Sequence, residues 1–343
     1  MAGITFNNNF ISNLQNRHHL LLFIVEIVKI INEDKKNNMI FSPKKFNIRY
    51  QANFNSPDKN VIRVWLVQPL NSITQKVESF SVSLKPLKYY KDDQENKILY
   101  FEFTNQKNFN ITMDIKVVLW KNKIDLTKEK LLLPPTSSKL LQQYTKNEKF
   151  LEQTTNIKDL TRKIIDKNSF ILNNIQSIFN FIIKNFKYSY PIKQRGVKHL
   201  NLKQLKGDCG EYSGLFVTMC RILKIPARNS TGFVIFPKIK KIVEHGWASL
   251  YLKPFGWLDF DPQYASLKKR DVKKYFAQRS DYRIIFTNGF NIPLKPAIPK
   301  NFQTNHWNKL GLPLTNNSVQ TIQPIAFISK KDIKFKDKIE LIS

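Results

Sequence analysis

The spacing of apolar residues changes along the chain, and that change limits the possible folds more than any other feature. Between about Phe46 and Lys123 the period is two: Val61 to Val67, Phe80 to Leu84, Ile98 to Phe103 and Ile111 to Leu119 are separated by turn-formers such as KDDQEN. In the last run Ile111, Met113, Ile115, Val117 and Leu119 alternate with other residues, which turns one side of a strand toward a core. Such strands predict a small antiparallel β-sandwich or barrel. The tandem prolines of LLLPPTSSK, Pro134 and Pro135, cannot continue regular structure and predict a boundary. Beyond them the spacing is helical, first at Ile157, Leu160 and Ile164, then at Ile171, Ile175, Ile178, Ile182 and Phe186. After a polar loop, Leu215, Phe216, Met219, Cys220 and Leu223 mark one more helix, ended by Pro226, and strands return in STGFVIF, HGWASLYL and GWLDF. Helices, a cysteine-bearing helix and then strands predict an α+β core.

A chain of 343 residues exceeds the usual single domain. The expected layout is an N-terminal amphipathic helix region over 1–45, an accessory β-sandwich domain over 46–130, a catalytic core over 131–290 and a C-terminal extension over 291–343. The apolar run Leu20 to Val25 is too short for a signal-peptide core or a membrane span, and Glu26 and Lys29 interrupt its continuation. A protein without a membrane span, soluble and cytoplasmic, is therefore expected, in keeping with two cysteines that have no paired spacing.

The formal charge is +30, from 56 basic and 26 acidic residues. Only ten of the basic residues are arginine, whereas reading bases or phosphates favours arginine over lysine. A solvated basic surface without a specific nucleic-acid partner is the expectation.

Chemistry concentrates around Cys209. It follows Gly207 and Asp208 and precedes Gly210, a turn-rich approach to an apolar helix. A thiol at a helix N-terminus lies near unsatisfied backbone N–H groups and the positive end of the dipole, an effect of about 0.3–1 kcal/mol. That lowers a thiol pKa of about 8.5 only modestly, so a cationic partner must supply the rest. His245 in VEHGWASLYL suits this role, on one strand face with Trp247, Ser249 and Tyr251. An acceptor must then fix the imidazole, and GWLDFDPQ offers both Asp259 and Asp261 on one face; spacing leaves the two open. Cys220, mid-helix among Phe216, Met219 and Leu223, reads as core. On one helix the two cysteines lie roughly 16 Å apart along the axis, beyond disulfide reach. His18, His19, His199 and His306 lack a comparable setting, and none has metal-binding spacing.

Taken in order, GDCGEYSGLFVTMCRILKIPAR, HGWASLYL and GWLDFDPQ resemble the core of the transglutaminase-like superfamily. The resemblance implies Cys209 as nucleophile, His245 as base and Asp261, directly before a proline, as the orienting carboxylate, with Asp259 second. VIRVWLVQPLNSITQKVESFSVSL is similar to the accessory β domain of many bacterial members, and DYRIIFTNGFNIPLKP to their C-terminal continuation. Two positions depart from the pattern, Gly246 where alanine is commoner and Gln263 where threonine often follows Asp-Pro. The implied activity is acyl transfer on a peptide or protein amide through a thioester, by hydrolysis or transamidation, with no metal or organic cofactor. The backbone N–H of Cys209 supplies one oxyanion donor, and an upstream side chain such as Gln204 or Tyr190 is the expected source of a second. The rival reading is a catalytically silent peptide- or envelope-binding protein on the same fold.

Overall fold

The computed structural model describes residues 43–299 and 317–342, apart from 58, 122–123, 127–129, 193, 268 and 279–281. The helix expected near the N-terminus falls on residues 1–42, outside the described ones, as do His18, His19 and His306.

The alternating segments form β1 (Lys44–Asn55), β2 (Val61–Gln68), β3 (Gln75–Val82), β4 (Lys88–Lys91), β5 (Lys97–Thr104) and β6 (Asn108–Leu119). In β6 the alternation works as its sequence requires, with Ile111, Met113, Ile115, Val117 and Leu119 all buried. The helical segments form α1 (Lys139–Thr145), α2 (Thr155–Ile164) and α3 (Ile171–Asn185). A two-residue parallel pair, β7 (Lys187–Tyr188) and β8 (Lys206–Gly207), leads into α4 (Cys209–Ile222). After it come β9 (Ala227–Phe236), β10 (Lys241–Leu252), β11 (Gly256–Phe260), the short α5 (Pro262–Leu267) and β12 (Arg283–Asn288). The chain closes with β13 (Ile292–Pro293), β14 (Ser318–Val319), β15 (Ile325–Ser329) and β16 (Lys334–Leu341).

Two four-stranded antiparallel sheets, ordered β16-β1-β6-β3 and β15-β2-β5-β4, share one core. Aromatic rings join them: Phe109 of β6 stacks on Phe103 of β5 at 3.9 Å, and Phe54 of β1 meets Phe327 of β15 edge-on at 5.2 Å. Each sheet takes one strand from the far end of the chain. β16 runs beside β1 from Ile48↔Leu341 to Asn55↔Lys334, and β15 beside β2 from Ile62↔Ser329 to Leu66↔Ile325. The residues read from sequence as a C-terminal extension thus complete both sheets.

The second half is an α+β unit. Its antiparallel sheet has the order β11-β10-β9-β12, and α4 packs on β9 and β10. Every residue of α4 from Glu211 to Arg221 is buried, so α4 is a central helix enclosed on all sides. Arg221 anchors its far end, donating to the carbonyls of Ala227 and Lys146 at 2.8 and 3.1 Å and pairing with Glu148 at 2.5 Å. On the other side of the β9–β10 sheet, Phe233, Ile235, Ile284 and Phe286 belong to the same core as the sandwich. No described helix is long and apolar enough to cross a membrane.

If β15 is an integral strand, Ile328→Ala, at a site with 0% exposure, should cost about 2–5 kcal/mol. Chemical denaturation checks this; an unchanged midpoint would show that the strand is not part of the cooperative unit.

Candidate active site

Three chain elements meet at the N-terminus of α4. Asp208 is the N-cap, and its carboxylate accepts the Gly210 N–H at 2.8 Å. The chain reaches this cap through Gly207, where a Cβ would lie 2.5 Å from the Cβ of Glu211; only glycine lets β8 run this close to the first turn. Cys209 is therefore delivered at the first helical position and keeps partial solvent access, whereas Cys220 is fully buried in the core behind it.

β10 supplies the second element. The N–H of Gly246 donates to the Cys209 sulfur, and a Cβ on Gly246 would stand 3.8 Å from that sulfur. Its chain neighbour His245 is buried, with Nε2 2.8 Å from Asp261 Oδ2 and its ring stacked on Tyr264 at 4.1 Å. The carbonyl of His245 accepts from Gln323 Nε2 at 2.7 Å, and the same amide reaches the Gly232 carbonyl at 3.0 Å, tying the histidine strand to the segment ahead of β15.

The third element is the turn from β11 into α5. Asp261 sits directly before Pro262 and is almost fully buried. It accepts the Tyr264 N–H at 2.9 Å, and Arg283 of β12 pairs with the oxygen that faces His245. Burial opposes ionisation of this carboxyl. The charges of His245 and Arg283 and the hydrogen bonds from His245 and Tyr264 outweigh it and hold Asp261 well below the usual carboxylate range. An ionised Asp261 is an acceptor only, so Nε2 carries the hydrogen it receives and Nδ1 is the ring nitrogen left for other partners.

The two aspartates are separated by this geometry. Asp261 meets the imidazole, whereas Asp259 lies opposite Ser249 in the β10–β11 pairing and accepts its hydroxyl at 2.7 Å. Gln204, Tyr190 and Tyr188 are all exposed. Tyr188, opposite Gly207 in the β7–β8 pair, is the upstream hydroxyl whose ionisation is opposed first by burial and then by the charge of Cys209. Sequence reading overlooked Arg283, Gln323, Tyr264 and Tyr188. All but Tyr264 lie many residues from their partners, so no local spacing announces them.

Electrostatics around the sulfur oppose ionisation. Burial pushes the Cys209 thiol up, Asp208 and Glu211 push it further, and the Gly246 N–H and the charge of Arg195 pull it down by less. The helix end alone does not make a thiolate here. Among the described residues no group of three or more histidine, cysteine or acidic side chains could hold a metal ion.

The fold is α+β. Residues 158–262, which include Cys209, His245 and Asp261, match the sequence model of the Transglutaminase-like superfamily, and the chain carries that superfamily's core. A candidate cysteine protease from Cytophaga hutchinsonii shares the architecture at a TM-score of 0.61 and 13% identity, over 89% of this chain and 93% of that one. The periplasmic domain of TgpA from Pseudomonas aeruginosa, bound to ethylmercury, aligns at a TM-score of 0.36 and 12% identity, over 68% of this chain and 78% of its own; a likeness this low carries no weight. No curated protein sequence matches the chain.

The depressed Asp261 carboxyl has a calculable sign. Its contribution to stability is full above the unfolded-state value of about 3.9 and is lost as pH falls through the lower folded value. Asp261→Asn removes a buried charge that both His245 and Arg283 meet and should cost about 3–5 kcal/mol at neutral pH. The gap between wild type and variant should narrow steadily as pH falls below about 4. Denaturation midpoints measured across that range check it, and a gap independent of pH would contradict an ionised Asp261.

Proposed function

We propose that the protein is a thiol-dependent acyl-transfer enzyme acting on peptide or protein amides, with Cys209 as nucleophile, His245 as proton carrier and Asp261 as the carboxylate that orients it. The observation that carries the reading is the approach of the histidine strand to the sulfur through Gly246 N–H, with the far side of the imidazole fixed by an ionised, buried Asp261. Burial and the neighbouring carboxylates raise the thiol, so the sulfur keeps its proton until attack, when the proton passes to the imidazole and the resulting imidazolium is stabilised by Asp261.

The sulfur then attacks the amide carbonyl. The backbone N–H of Cys209 and the hydroxyl of Tyr188 serve as donors to the developing oxyanion. Collapse breaks the C–N bond, His245 gives its proton to the departing amine, and a thioester is left on Cys209. Water, deprotonated by His245, resolves the thioester, releases the acid and restores the thiol. Hydrolysis is favoured over resolution by a lysine amine, and the shared fold of the Cytophaga hutchinsonii candidate cysteine protease supports that preference. A partly exposed Cys209 suits an enzyme better than a silent binding protein, whose nucleophile could be sealed without penalty.

Incubation with a peptide library, with and without an added primary amine and with products read by mass, tests the reaction. Cleavage products that persist in the presence of the amine are expected. Cys209→Ala should reduce turnover by about 10,000-fold or more, while Cys220→Ala should leave it near wild type. Turnover that survives loss of Cys209 would overturn the proposal.

A further inference from the structure

One buried charge cluster beside the nucleophile takes no part in the acyl-transfer steps. Arg195 forks between two carboxylates that flank Cys209 in sequence, with Nη2 2.7 Å from Asp208 Oδ2 and Nη1 2.7 Å from Glu211 Oε2. All three residues are more than nine-tenths buried. The chain presents Arg195 from a constrained bend: the next residue, Gly196, has φ of +102°, and a Cβ there would lie 3.0 Å from the Phe150 backbone. The Val197 N–H then donates to the Phe150 carbonyl at 3.1 Å, which fixes the bend to the body of the protein.

We propose that Arg195 is a positioning residue for the nucleophile: its guanidinium locks Asp208 and Glu211 in the first turn of α4 and offsets part of the carboxylate charge that opposes ionisation of the Cys209 sulfur. This inference rests on the reading of Cys209 as nucleophile. Two carboxylates and one guanidinium leave one net negative charge beside the sulfur when both acids are ionised, and none when one of them holds a proton. Glu211 is poised between these states, since burial first and Asp208 next push its carboxyl up to about 7 against the pull of Arg195. Two other titratable groups sense the charge of the sulfur, Tyr188 on β7 and Tyr264 on α5, and His245 lies on β10 as the chain neighbour of Gly246, whose Cα side approaches the sulfur. Of these, only His245 can bring positive charge, so the balance within the Arg195 cluster bears directly on how much His245 must do. A guanidinium suits the task because one planar fork spans both acids, which a lysine ammonium cannot do with the same geometry.

The test is the pH dependence of iodoacetamide alkylation at Cys209 in the full chain, mapped by mass, for Arg195→Gln, Glu211→Gln and the double variant. Arg195→Gln should move the midpoint up by about one pH unit and Glu211→Gln should move it down, because opposite charges are removed near the same atom. The double variant, which restores the charge balance, should return toward wild type. A merely structural role predicts that thermal stability falls in both single variants while both midpoints stay in place, and that the double variant is worse than either. That pattern, or two shifts of the same sign, would overturn the proposal. Should Arg195→Gln fail to fold, Glu211→Gln alone decides, since a midpoint unmoved or raised in it contradicts the charge argument. Failure of the underlying functional reading looks different: amide turnover would then survive Cys209→Ala whatever the midpoints do.

Discussion

Asp261 is charged inside the protein, and the arrangement of the candidate site follows from keeping it charged. A carboxylate in this position is unfavourable unless it is paired and hydrogen-bonded on several sides. The chain meets that demand from three directions, with the imidazole of His245, the guanidinium of Arg283 and the N–H of Tyr264. Because these groups sit on β10, β12 and the start of α5, the ion ties the turn after β11 to the sheet that holds β10 and β12. The imidazole gains a fixed tautomer and orientation in return, further held by its stacking on Tyr264.

The sulfur occupies a harder setting than a helix N-terminus suggests in isolation. The dipole favours a thiolate, yet the N-cap that makes the helix start is itself an acid, and Glu211 places a second acid one residue beyond Gly210. Arg195 and the N–H of Gly246 offset part of this, and burial still leaves the thiol raised. A neutral thiol that ionises by handing its proton to an adjacent base is protected from adventitious oxidation when no substrate is present. The same environment makes the chemistry depend on how closely the β10 backbone approaches α4, since Gly246 is the point of contact.

Much of the architecture is legible in sequence because it depends on local spacing. The alternation of Ile111 to Leu119, the helical intervals of α3 and α4 and the stop at Pro226 correspond to elements in the structure. What local spacing does not carry is pairing across distance. β15 and β16 return to β2 and β1 from more than 250 residues away, and nothing in their own residues names those partners. The same holds at the site. Asp259 and Asp261 would share a face in an unbroken strand, but β11 ends at Phe260, so Asp259 meets Ser249 inside the sheet while Asp261, in the turn beyond, reaches His245. Arg195, Arg283 and Gln323 look like ordinary polar residues in sequence, and become meaningful only beside the buried acids and carbonyls they satisfy.

The central claim is that the Cys209 sulfur and the His245 ring exchange a proton within one electrostatic unit backed by Asp261. The pH dependence of iodoacetamide alkylation at Cys209, in wild type and in His245→Ala, reads that coupling from the sulfur side. Removing the ring that takes the proton should move the alkylation midpoint to higher pH. Superimposable profiles would show that the two groups do not sense each other, and the account would not stand.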